Sequence, residues 1–86
     1  MTDLLKRAED PTAIAAGLTK ALRSALLWLA RKESLLVPKQ LSWRRSYMLQ
    51  ARGVCSVYPF HQRWLGRADI TPLGLAVAQA LKEMER

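Results

Sequence analysis

The stretch Leu41 to Gly53, LSWRRSYMLQARG, carries its own start and stop, and the residues after it change period at once. Ser42 is placed to cap a helix, because its hydroxyl can accept from the N–H groups of the first turn, and Gly53 supplies the conformational freedom that ends one. Val54, Cys55, Ser56, Val57 and Tyr58 are mostly β-branched or aromatic and too few for a helix, so they read as a strand. A helix passing into a strand through one glycine makes the chain one of mixed α and β content. Within the helix the apolar set is Leu41, Met48, Leu49 and Ala51, and a cationic and aromatic set, Trp43, Arg44, Arg45, Tyr47 and Arg52, lies beside it.

The rest of the chain is read outward from this unit. Asp10-Pro11 opens a first helix, with an acid at the cap and proline where no N–H is needed. Ile14, Leu18, Leu22, Ala25, Leu26 and Leu29 recur at helical spacing and carry that helix to about Lys32. Gly17 lowers its propensity locally and suggests close packing, and Trp28, beside the stripe, is expected to bury its ring. Residues 1–9 form a frayed or short helical lead. Glu33 to Gln40 is read as a turn with a short extended or single-turn piece, since Pro38 disfavours a helical Val37. Past the strand, Pro59 ends it or sits on its edge, Gly66 is available for a positive φ, and Arg67 to Thr71 can return as a second strand. That makes a β-hairpin whose tip bears His61, Gln62, Arg63 and Trp64. Thr71 and Pro72 then start a last helix with Leu73, Val77, Ala80, Leu81 and Met84 in phase.

Eighty-six residues suffice for a single small domain. No apolar run approaches the roughly 20 residues of a membrane span, and no signal-peptide pattern opens the chain, so an intracellular, cytoplasmic protein with no membrane partner is expected. Charge is more telling. Fourteen Lys and Arg stand against seven Asp and Glu, a formal net charge of +7. Lys20 to Arg67 holds ten of the basic residues and Glu33 as its sole acid, a local +9. Such a segment attracts a polyanion, and nucleic acid is the leading partner. The plainer alternative is a basic surface kept for solubility.

Chemistry of bond making finds little support. Cys55 and His61 are the sole thiol and imidazole, nothing orients the histidine, and no oxyanion donor loop is evident, so no catalysis is expected. A metal site lacks a third ligand. Gly17, Gly53, Gly66 and Gly74 show neither phosphate-loop nor dinucleotide spacing, and no cofactor is expected.

Two pieces resemble a known pattern. MLQARGVCSVY is similar to the "L-x-x-R-G-L-V" that ends a recognition helix and enters the first wing strand, and DITPLGLAVAQAL to the "L-T-x-x-G-x-x-v" that leaves the wing in many bacterial regulators. Together, with a hairpin between them, they resemble the winged helix-turn-helix family from Met48 to Leu81, and in outline over about residues 12 to 86. The resemblance implies a mostly α, winged-helix-like domain of three main helices with one β-hairpin. It also implies that Ser42 to Arg52 lies in a major groove while the hairpin tip touches backbone or minor groove. The candidate nucleic-acid-binding residues are Lys39, Ser42, Trp43, Arg44, Arg45, Tyr47, Arg52, Arg63, Trp64 and Arg67. Duplex DNA read by a small regulator is the expectation, with RNA as a second polymer. The rival class is a phage- or plasmid-type interaction module, an inhibitor or adaptor docking on a larger protein assembly. A homodimer is compatible with the leucines of the first or last helix.

Overall fold

The computed structural model describes residues 10–60 and 65–85. Among them, four helices and three strands follow in the order α1 (Pro11–Gly17), α2 (Lys20–Lys32), β1 (Ser34–Val37), α3 (Trp43–Ala51), β2 (Cys55–Pro59), β3 (Gly66–Ile70) and α4 (Pro72–Met84). The class is α+β, mostly α, as the sequence implies. Residues 1–9 and the hairpin tip, 61–64, lie outside the described residues.

The single first helix expected from the leucine stripe is two. Leu18 adopts an extended conformation after Gly17, and Thr19 starts α2 by accepting from the Leu22 N–H at 3.3 Å. Arg23 secures the break by donating from Nε to the Leu18 carbonyl at 3.0 Å and from Nη2 to the Ala16 carbonyl at 3.4 Å. Leu18 is thereby turned into the core, 4% exposed, and the apolar period survives although the helix axis does not. Gly17 has no atom within 4 Å of the place a Cβ would take, so it marks a helix end and not close packing. Trp28 departs from expectation as well. It is 39% exposed, because Leu22, Ala25, Leu26 and Leu29 already fill the inward side of α2.

The segment before α3 is extended, as Pro38 requires of Val37, and it joins the hairpin as a third strand. The sheet order is β1-β3-β2, antiparallel throughout. Glu33 stops α2 with a left-handed backbone, φ 68°, and accepts from the Ile70 N–H at 3.0 Å, which delivers the chain to the side of β3. The Val37–Pro38 peptide bond is cis. Period-two alternation sends Leu35, Val37, Ala68 and Cys55 into the core and leaves Leu36, Arg67 and Tyr58 side by side on the outer face. On the outer strands, side chains complete the ladder: Gln40 Oε1 accepts from the Leu36 N–H at 2.9 Å, and Gln50 Oε1 from the Val57 N–H at 2.7 Å. Pro59 ends β2 opposite Gly66.

The core lies between the sheet's inner face and the helices. Leu22, Leu26 and Leu29 of α2, Leu49 of α3, and Val77 and Leu81 of α4 meet there, each essentially without solvent contact. Burial of one such side chain stabilises the fold by about 2 kcal/mol. The caps read from sequence are present. Asp10 accepts from Thr12, Ser42 from Arg45, and Thr71 from Gly74.

Candidate nucleic-acid interface

Helix α3 divides its residues by helical phase. Ser46 and Leu49 point inward and are fully buried, while Arg44, Tyr47 and Ala51, spaced at three and four residues, form the exposed stripe opposite them. Trp43 and Gln50 flank this stripe on the hairpin side, and Arg45 and Met48 on the side of α2.

The hairpin holds α3 in place. A Cβ at Gly66 would lie 2.7 Å from the indole Cη2 of Trp43, so the missing side chain is the seat on which the ring rests. Gly66 therefore serves packing within β3, and the positive φ expected of it belongs instead to Gly53, at 75°. Gln50 ties the last turn of α3 to β2 through the Val57 N–H, and the Cys55 thiol donates to the Ser46 carbonyl at 3.5 Å. Ser46, the buried polar residue of α3, donates its hydroxyl to the Ser42 carbonyl at 2.8 Å. Tyr47 stacks outside Trp43 with ring centroids 5.8 Å apart and planes 19° from parallel, itself remaining 46% exposed.

The cations separate by what they touch. Arg23 is engaged at the end of α1, as described above. Arg52, half-buried, donates to the Met48 carbonyl at 3.1 Å and so sits where the dipole of α3 favours a positive charge. Arg67 binds Asp69 at 3.0 Å and lies 5.4 Å over the Tyr58 ring, on the outer sheet face. Asp69 also accepts from the Ser34 hydroxyl at 2.7 Å. The Arg67–Asp69 contact is the sole ion pair among the described residues. Arg44 and Arg45 are exposed and make none there, and the same holds for Lys39 in the turn before α3. Arg63 and Trp64 lie outside the described residues.

Thus the structure puts Arg44 and Tyr47 on the exposed stripe of α3, Trp43 on its hairpin flank, and Ser42 and Arg45 on the flank toward α2. It places Arg52 at the end of α3 and Arg67 across the sheet. One contributor was missed in the sequence. Thr19 and Ser42, the caps of α2 and α3, line the same open cleft as Ala21, Arg44, Arg45 and Met48, so two helix N-termini add their positive ends to the arginines. The signal for it was Gly17 followed two residues later by a threonine, a stop and a cap inside what otherwise reads as one helix.

Cys55 has no part in this face. It is 2% exposed, and burial, with the negative charge of Asp69 as the smaller cause, pushes its thiol from 9.0 up to about 11. The folded thiol keeps its proton longer than the unfolded one, so its contribution to stability is complete below pH 9 and is lost as the pH rises toward 11. Compared with a Cys55→Ala variant, the parent should lose urea resistance over that interval, and a pH-independent difference between the two would contradict the assignment. The described residues contain no group of three or more His, Cys, Asp or Glu that could hold a metal ion. No described helix is long and apolar enough to cross a membrane. No protein family, characterised protein or solved structure matches this chain.

Proposed function

We propose that this chain binds nucleic acid without catalysis, through the exposed stripe of α3 and the hairpin beside it, with duplex DNA as the target. The observation that carries the reading is the pair Arg44 and Arg45. Both stand in the first turn of a helix, where the dipole disfavours cations by a few tenths of a kcal/mol each, and both are exposed without an ion pair among the described residues. Arginines with a structural task in this fold look different: Arg23, Arg52 and Arg67 each hold a carbonyl or a carboxylate. Arginine's planar fork suits phosphate and guanine alike.

Duplex DNA follows from the order of elements, in which a capped basic helix leads into an antiparallel hairpin and then a second capped helix, as in winged helices. The fold differs from that pattern before α3, where β1 and a turn stand in place of a full second helix. Trp43 on Gly66 and Gln50 on Val57 supply the bracing that such a helix would give. A small cytoplasmic regulator is the role this reading fits.

Titration of the whole chain against labelled duplex DNA and labelled single-stranded RNA across a salt series tests it. Each neutralised phosphate contributes about −0.9 to the slope of log K against log salt for duplex DNA, so a slope of roughly −2 or steeper is expected. Affinity for neither polymer, or affinity insensitive to salt, would overturn the proposal and leave the protein-docking module as the better account. Tighter binding to RNA would replace the polymer and keep the surface.

A further inference from the structure

Tyr47 has a setting that phosphate binding alone does not require. The Trp43 indole stacks against its ring in an offset arrangement, centroids 5.8 Å apart and planes 19° from parallel, and the tyrosine still keeps 46% of its surface exposed. The indole beneath is fixed in turn, since it rests where Gly66 lacks a side chain and is half-buried against the core. The tyrosine is therefore held in a defined plane at little entropic cost, its ring carried by a rigid support. Arg44 lies one turn back on the same exposed stripe. A fixed, outward aromatic face beside an arginine fork is the arrangement on which an unpaired base stacks while its phosphate is neutralised. A fully paired duplex hides its base faces and offers nothing to the outer side of this ring.

Building on the nucleic-acid reading above, we infer that Tyr47 is a stacking platform for a nucleobase, and that the preferred target is DNA holding a base outside the helical stack. The Trp43–Tyr47 pair would become a three-ring stack with the base outermost. Arg44, on the same stripe, would hold a flanking phosphate.

The test uses the whole chain and three labelled DNA probes of one sequence: a fully paired duplex, the same duplex with one bulged adenosine, and that duplex with an abasic residue at the bulge. The bulged probe should bind about tenfold tighter than the paired one, and the abasic probe should lose that gain. Tyr47→Ala should bring the ratio of bulged to paired affinity to about one, whatever the change in paired-duplex affinity itself, and Tyr47→Phe should keep the parent's ratio, since a phenyl ring stacks as well. Far-UV circular dichroism and thermal unfolding confirm that both variants fold. Equal affinity of the parent for all three probes, or a preference retained by folded Tyr47→Ala, would overturn the platform while salt-dependent binding to the paired duplex still upholds the nucleic-acid reading. Absence of binding to every probe would remove both.

Discussion

Replacing Gly74 with alanine should cost more stability than any other methyl-sized change in this chain. Gly74 lies in the first turn of α4, and a Cβ there would fall inside the contact distance of the Val54 carbonyl oxygen and 2.7 Å from Cγ1 of Ile70. The carbonyl cannot retreat easily, because it accepts from the Thr71 N–H at 3.2 Å and belongs to a residue with no solvent exposure. Overpacking of this kind costs about 3 kcal/mol, which in a domain of this size lowers the melting temperature by some 10 °C or more. Gly17→Ala is the matched control. Its new methyl meets nothing within 4 Å, so thermal unfolding should be unchanged or shifted slightly upward. Melting curves of the two variants measured side by side decide the matter: a Gly74→Ala protein that unfolds with the parent would mean that α4 does not approach the Val54 carbonyl as closely as described. The same geometry explains the sequence DITPLG in physical terms. Threonine caps, proline starts the helix, and glycine lets it pass a carbonyl.

The second large effect concerns binding. The double variant Arg44→Ala, Arg45→Ala should weaken duplex DNA affinity by about a hundredfold and flatten the salt slope by about 2, because two phosphate or base contacts disappear together. Stability should hold or rise slightly, since two cations leave the positive end of a helix. Arg31→Ala, Lys32→Ala removes the same net charge from the last turn of α2 and serves as the control for non-specific electrostatics. Arg52→Ala should behave in the opposite sense to the Arg44 and Arg45 pair, losing about 1 kcal/mol of folding stability with the bond to the Met48 carbonyl and less in affinity. If both double variants weaken binding equally, the attraction belongs to the overall charge and not to α3.

Much of the framework is legible in local chemistry. The Asp10-Pro11, Ser42 and Thr71-Pro72 starts, the stop near Gly53 and the two strands of the hairpin all depend on neighbours within a few residues, and each appears where the residue types place it. What the sequence hides depends on distant partners. Ser34–Val37 becomes a strand by pairing with Gly66 to Asp69, far along the chain, and although Pro38 announces an extended Val37, nothing local announces its partner. The exposure of Trp28 follows from other side chains having filled the core first. The glycines mislead for a related reason. Gly66 and Gly74 are used for the space they leave to Trp43 and Val54, which only tertiary packing can show, while backbone freedom is exercised at Gly53.

The candidate surface divides in the same way. That Arg44 and Tyr47 share the exposed stripe while Arg45 turns toward α2 is a matter of helical period and can be read directly. Which of the ten central basic residues are withheld from solvent partners cannot, because Arg23 reaches back over a break in the helix and Arg67 finds Asp69 and Tyr58 across strands.

The two glutamines on the outer strands have a consequence for how this chain behaves at high concentration. A three-stranded sheet presents two edges at which another chain could add by backbone pairing, the usual route to strand exchange and fibrous aggregation. Gln40 and Gln50 occupy the central N–H of each edge from within the molecule, and Pro59 has no N–H to offer at the end of β2. Intermolecular strand addition would first have to displace a hydrogen bond already made. Association between copies, if it occurs, is thereby steered away from the sheet edges and toward helical surfaces.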